Sequence, residues 1–230
     1  MKIVNRLFVA AALMTGVSGA ALAQGSADGS APRYYMADGS RTDDLAAAEA
    51  SWRADTEFQR DWGLDAINVE TAYALGLTGK DIKLGVVDTG TWAGHSEFSR
   101  AGKLISITSE GIRSIDDIYN PFKAGEAFRL EGGQPWFQGR SLNNHGTHVG
   151  GIMAAQRDGK GMHGVAFDAV LIAANGEGLG PATGDIDTFD PAIYALQVDQ
   201  LVQAGARVIN NSWGIGPAIG GNTLAGAKNQ

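Results

Sequence analysis

Short apolar runs that end in polar residues alternate with helical patterns, and this alternation limits the fold more than any other feature. Residues 82–87, IKLGVV, end in the triplet Asp88-Thr89-Gly90. Similar runs occupy residues 169–174, AVLIAA, and residues 207–209, which precede NNSWG. Nearly continuous apolar runs are typical of strands buried on both faces of a parallel sheet. We therefore predict an α/β fold in which helices flank a central parallel sheet.

Three segments have helical patterns. DDLAAAEASWRA has Asp43 or Asp44 as its N-cap, and LDAINVETAYALGL repeats apolar residues at helical spacing over residues 64–77. TFDPAIYALQVDQLVQAGA carries Pro191 in the first turn, where proline is favoured. We expect residues 109–141 to form an irregular surface insertion with an aromatic tip.

The N-terminus has the order of a secretory signal peptide. Lys2 and Arg6 precede the apolar run LFVAAALMTGV, and Ala21-Leu22-Ala23 follows where a signal peptidase cuts. The run is short for a membrane span. We expect a signal peptide over residues 1–23, a flexible extension over 24–55 and a globular part over 56–230. The protein would then be exported to the periplasm, the cell surface or the medium.

Composition excludes some functions. The chain has 230 residues, 44% of them hydrophobic, which suits one globular domain with an extension. A net charge of -7 makes nucleic acid an improbable partner, because binding phosphates needs a basic surface. There is no cysteine, so we expect stability to come from core packing.

His145 and His148 lie three residues apart in SLNNHGTHVGGIMAA and allow three interpretations. Both could be structural. Two imidazoles on one helical face could bind zinc, although the H-E-x-x-H pattern is absent. Alternatively, His145 is a general base at a helix N-terminus, where the helix dipole favours the neutral ring. A buried carboxylate would then orient it, and Asp88 is the natural partner.

The triplet Asp88-Thr89-Gly90 also matches the way an aspartic protease presents its acid. That chemistry needs two carboxylates that share a proton. The sequence has one such triplet and would need a homodimer, and the two histidines would remain unexplained.

Four motifs resemble, in kind and order, those of the subtilisin-like serine protease family. They are VVDTG, NNHGTHVGGIMAA, GMHGVAFDAVLIAA and RVINNSWG, and the resemblance extends from Trp62 to Gly214. The order of the aspartate before the histidine is a known property of this family and is taken from the resemblance. WGLDAINVETAYALGLTGKDIKLGVVDTG and MHGVA are most similar to subtilases of bacterial autotransporters. The resemblance implies a three-layer subtilisin-like fold whose C-terminal part is missing, and a secreted endopeptidase.

The resemblance also implies roles for individual residues. Asp88 and His145 match the acid and base of the triad, and His148 matches a structural helix position. Ser212-Trp213-Gly214 matches the strand that pairs with the peptide substrate, a form of β-augmentation. Gly150 and Phe167 replace the more usual alanine and proline.

The triad serine is not in this sequence, because no Gly-Thr-Ser turn occurs before Gln230. Ser212 does not fit that turn. We therefore expect a fragment that is inactive alone, whose parent carries the serine and an outer-membrane β-barrel. The alternative is a non-catalytic relative that binds peptides.

No cofactor or metal is expected, although the resemblance allows calcium. Three acids lie close together near a helix start, Asp185, Asp187 and Asp190, but helix capping also explains them. We interpret His95 as a turn residue that caps nearby backbone and His163 as structural. Trp136 and Phe137 receive no assignment.

Overall fold

A computed structural model describes residues 33–114, 123–137, 140–141, 144–176 and 191–212. The signal peptide expected over residues 1–23 lies outside these residues. In the described part, no helix is long and apolar enough to cross a bilayer.

The elements follow in chain order. The N-terminal part contains β1 (Tyr34–Tyr35), β2 (Arg41–Thr42), α1 (Leu45–Arg53), α2 (Thr56–Arg60), α3 (Trp62–Ala66) and α4 (Glu70–Ala74). The central part contains β3 (Lys83–Asp88), a 3-10 turn (Ser96–Phe98), β4 (Leu104–Ser106), β5 (Thr108–Ile112), β6 (Ala127–Glu131), β7 (Trp136–Phe137) and β8 (Arg140–Ser141). α5 (His145–Ala154), β9 (Val170–Asn175), α6 (Pro191–Gln203) and β10 (Val208–Asn210) complete it.

Four parallel strands form the central sheet in the order β10-β3-β9-β4. Successive residues of β3 face opposite layers, as strand geometry requires. Val86 packs in a cluster with Val149 of α5, whereas Val87 packs in a cluster with Leu201 of α6. The sheet is therefore sandwiched between α5 and α6, which confirms the predicted three layers and explains the continuous apolar runs.

The flexible extension predicted for residues 24–55 is wrong for the part that the structure describes. β1 and β2 form an antiparallel pair, and Asp44 caps α1 by accepting a hydrogen bond from the amide of Ala47. Trp52 of α1 is buried, and its ring lies 5.0 Å from that of Tyr73. Tertiary packing of these aromatic rings overrides the polar composition of the segment.

The helix predicted over residues 64–77 is two helices, α3 and α4. Asn68 between them has a φ of 52°. This left-handed conformation interrupts a helix and is one that asparagine tolerates better than most residues. The irregular insertion predicted over residues 109–141 contains the antiparallel hairpin β5–β6. Leu130 of that hairpin packs against Ile193 of α6, so the insertion contributes to the core.

His163 is a buried structural residue that packs between α4 and Phe167, which precedes β9. Its ring is 0% exposed, and its centroid lies 4.9 Å from that of Phe167 and 5.7 Å from that of Tyr73. Nδ1 donates a hydrogen bond to the carbonyl of Gly164 at 3.0 Å. Three charged groups interact with it: Glu57, Asp55 and Arg157.

Burial lowers the pKa of His163, and this predicts acid sensitivity. Because the folded pKa lies below the ordinary value of about 6.5, the unfolded state binds more protons as the pH falls through that value. The free energy of unfolding should therefore decrease as the pH is lowered from 7 to 5. In urea unfolding of the full-length protein, His163→Phe should show a shallower decrease than wild type over this range. Equal slopes would contradict the prediction.

Candidate active site

Asp88 and Ser212 lie at the carboxyl ends of neighbouring parallel strands. Val208 of β10 is in register with Leu84 of β3, and Asn210 with Val86. Two residues further along each strand are Ser212 and Asp88, so both lie at the same edge of the sheet. Sites in open parallel sheets form at this edge.

His145 is the first residue of α5, at the same edge. Its Nδ1 lies 2.8 Å from Oδ1 of Asp88, although the two residues are 57 positions apart in sequence. The imidazole is 46% exposed, whereas the Asp88 side chain is only 2% exposed. The structure thus brings together the predicted acid and base.

The surroundings of Asp88 fix its orientation. Oδ1 accepts a second hydrogen bond, from the amide of Thr89 at 2.7 Å. Oδ2 is buried and accepts no hydrogen bond from any residue that the structure describes. Since an ionised carboxylate can only accept, Nδ1–H of His145 donates to Asp88, and Nε2 is then the basic nitrogen of the ring. This arrangement can accept a proton at Nε2 and stabilise the resulting imidazolium.

Gly146 allows α5 to approach the end of β3. A Cβ on Gly146 would lie 2.5 Å from the carbonyl oxygen of Gly90 and 3.0 Å from Oδ1 of Asp88. The amide of Gly146 donates to Thr89 Oγ1 at 2.9 Å, and its carbonyl accepts from Thr91 Oγ1 at 3.1 Å. The residue after the candidate base is therefore held directly against the loop after the candidate acid.

Residues 132–134, which we call the strap, cross the carboxyl end of the sheet. The carbonyl of Gly132 accepts from the amide of Thr91 at 2.8 Å, and that of Gly133 accepts from Ala93 at 2.9 Å. Asn175 at the end of β9 donates from Nδ2 to the carbonyl of Gln134 at 3.0 Å. The strap thus connects the loop after Asp88 to β9, and sequence reasoning missed it. The pair Gly132-Gly133 was the available signal.

Asn175→Ala should lower the free energy of unfolding by about 1–3 kcal/mol, because the substitution leaves the Gln134 carbonyl without its donor. Asn175 is 1% exposed, so water has little access to replace the amide. Thermal or urea unfolding of the full-length protein would measure the change. A variant as stable as wild type would show that the strap does not depend on this hydrogen bond.

The other predicted residues have different outcomes. The structural role predicted for His148 is wrong, because its side chain is exposed on α5 and does not pack in the core. His95 caps the 3-10 turn by accepting the Glu97 amide at Nδ1, 3.3 Å away, as predicted. Five residues fall outside the described part of the chain: Trp213, Gly214, Asp185, Asp187 and Asp190. Among described residues, no group of three or more His, Cys, Asp or Glu could hold a metal ion.

Comparisons with known proteins agree with the motif pattern. The extracellular serine protease of Serratia marcescens is 41% identical over 172 residues, which are 75% of this chain and 13% of the relative. Fervidolysin of Fervidobacterium pennivorans is 32% identical over 164 residues, which are 66% of this chain and 19% of the relative. The crystal structure of fervidolysin covers 80% of this chain and 24% of that chain, at 24% identity. The TM-score of this match is 0.44.

The family assignment rests on the match to a whole-family model. The model of the subtilase family, Peptidase_S8, matches residues 79–230, which include both Asp88 and His145. This region is more than half of the sequence. The chain therefore belongs to the subtilase family.

Proposed function

We propose that the full-length protein is an exported serine endopeptidase of the subtilisin type, in which His145 is the general base and Asp88 orients it. The observation that carries the proposal is the 2.8 Å contact between His145 Nδ1 and Asp88 Oδ1 at the carboxyl edge of the sheet. Membership in the subtilase family supports it. Export is supported by the signal-peptide pattern of residues 1–23 and by relatives named as extracellular proteases.

In the first half of the proposed reaction, a serine outside residues 1–230 attacks the scissile carbonyl carbon. As the new C–O bond forms, Nε2 of His145 takes the hydroxyl proton. Asp88 holds the ring in the required tautomer and stabilises the imidazolium. Collapse of the tetrahedral intermediate breaks the C–N bond, and the leaving amine takes the proton from Nε2.

In the second half, water attacks the acyl-enzyme ester and gives a proton to His145 Nε2. The proton then returns to the serine oxygen as the ester bond breaks, which regenerates the enzyme. Donors beyond this chain would stabilise the negative charge on the intermediate. Residues 1–230 alone hold the base and the acid, and we propose that they do not hydrolyse peptides.

The substrate in this proposal is a polypeptide whose backbone pairs with Ser212-Trp213-Gly214. Ser212 lies two residues after the end of β10, the strand next to β3, and at the carboxyl end of the sheet where Asp88 lies. β10 is an outermost strand in the order of the described sheet, and backbone that follows such a strand can offer amide and carbonyl groups to an extended peptide, which is the pairing of β-augmentation. No metal or cofactor takes part in the proposal.

The inhibitor profile of the full-length protein tests the reaction class. We expect it to cleave unfolded casein, to be inhibited by serine-directed phosphonates, and to resist chelators and aspartic-protease inhibitors. Inhibition by one of the latter two, with resistance to phosphonates, would overturn the proposal. Peptide binding without any cleavage would instead support the non-catalytic relative.

A further inference from the structure

The exposed face of α5 lines a groove that the triad does not use. Residues of α5 that are buried against the sheet include Gly146, Val149 and Gly150. A cavity of about 820 Å³ runs along another face of α5. The residues of this face recur at the helical spacing of three and four. The lining residues from this part of the chain are Asn144, Thr147, His148, Gly151 and Ala155.

The opposite wall of this groove is mainly apolar. Its apolar residues are Trp92, Phe98, Pro135 and Met162, and Arg60, His95, Glu97 and Gly161 also line it. Trp92 remains 44% exposed, which is high for a side chain of its size. Exposed apolar surfaces of this kind mark sites that bind another molecule.

The groove begins beside the candidate base. Asn144, which lines it, directly precedes His145, and the amide of Trp92 donates to Thr147 Oγ1 at 3.0 Å. From Asn144 to Ala155 a helical path rises about 16 Å. At the rise of an extended strand this length matches about five residues of polypeptide.

We propose that the groove is an exosite that binds an extended, uncharged apolar segment of the polypeptide substrate, away from the bond that is cut. The inference rests on the proposed function. The groove begins at Asn144, next to His145, so a substrate held at the candidate base also lies beside the groove. The substrate is therefore the expected occupant. Arg60 and Glu97 line the groove with side chains of opposite charge type, and burial raises the pKa of Glu97, so the groove has no strong net charge and favours an uncharged segment.

Gly151 allows the groove to be filled without disturbing the fold. A Cβ on Gly151 would meet no atom within 4 Å, whereas one on Gly150 would lie 2.9 Å from Leu171 Cδ2. Gly151→Gln therefore places a long polar side chain in the groove, and the loss of a helical glycine favours folding. Ile152→Gln is the matched control, since Ile152 is 44% exposed on the same helix and does not line the groove.

The test uses the full-length protein with unfolded casein and a tetrapeptide nitroanilide as substrates. For Gly151→Gln, the ratio of kcat/KM for casein to kcat/KM for the tetrapeptide should fall about tenfold through a higher KM for casein, the size of a typical interface contact. Ile152→Gln should keep the wild-type ratio. Trp92→Ala, which removes the opposite wall, should lower the ratio in the same direction.

The outcomes separate the two proposals. If wild type cleaves both substrates and Gly151→Gln keeps the wild-type ratio, the exosite is refuted while the peptidase stands. If wild type cleaves neither substrate, the proposed function fails and the exosite fails with it. A shift from dimer to monomer in Gly151→Gln, with no change in the ratio, would assign the groove to a second copy and overturn the inference.

Discussion

In the full-length protein, His145→Ala is expected to lower kcat for peptide hydrolysis by about the 10⁶-fold that the same change costs in subtilisin. Asp88→Asn should cost about 10⁴-fold, the effect known for the equivalent change in a serine-protease triad, because the amide favours the wrong tautomer of the ring. The physical reason is the 2.8 Å contact between Nδ1 and Oδ1, which sets both tautomer and orientation. Steady-state kinetics on a tetrapeptide nitroanilide would measure both effects.

Ile152→Ala controls for disturbance of the helix, because Ile152 lies on α5 with 44% of its surface exposed and away from Asp88. It should retain wild-type kcat. The double variant His145→Ala with Asp88→Asn should be little worse than His145→Ala alone, since the two residues act as one unit. Fully additive losses would show that the two side chains work independently and would contradict the triad.

Gly146→Ala is expected to lower kcat/KM by about 100-fold, although the residue has no side chain to do chemistry. The added Cβ would lie 2.5 Å from the Gly90 carbonyl oxygen, so the N-terminus of α5 must move away from the loop after Asp88. His145, the neighbouring residue, moves with it and loses its alignment with the carboxylate. Overpacking of this kind should also cost about 1–3 kcal/mol of stability.

Gly151→Ala on the same helix separates steric overlap from any general effect of replacing a helical glycine. Its added Cβ meets no atom within 4 Å, so the free energy of unfolding should rise by about 0.5–1 kcal/mol. A Gly146→Ala variant with wild-type kcat/KM would show that α5 can shift without displacing His145.

Much of the sheet and the acid–base pair could be predicted from the sequence, because the signals are local and strong. The runs before Asp88 and Ser212 identify buried strands, and polar residues at strand ends identify the edge of the sheet. The position of His145 at the start of a glycine-rich helix identified it as the candidate base. The pairing of His145 with Asp88 followed from the rule that sites in parallel sheets form at the carboxyl ends of the strands.

The remaining features depend on tertiary contacts that have no local signature. In residues 33–55, the helical pattern predicts α1 and its Asp44 cap, but not the packing of Trp52 against Tyr73. The strap is visible only where backbone groups from distant segments meet at Thr91 and Asn175. His148 has the motif of a structural residue but lies exposed, because the side of α5 that faces the sheet carries Val149 and Gly150.

If Asp88 and His145 activate a serine, covalent labelling of that serine by a fluorophosphonate depends on both residues. In the full-length wild-type protein we expect one serine to be labelled, with a second-order rate constant at least about 10³-fold above that of His145→Ala or Asp88→Asn. Residues 1–230 alone should not be labelled. Equal labelling rates in wild type and His145→Ala would show that His145 does not activate the serine.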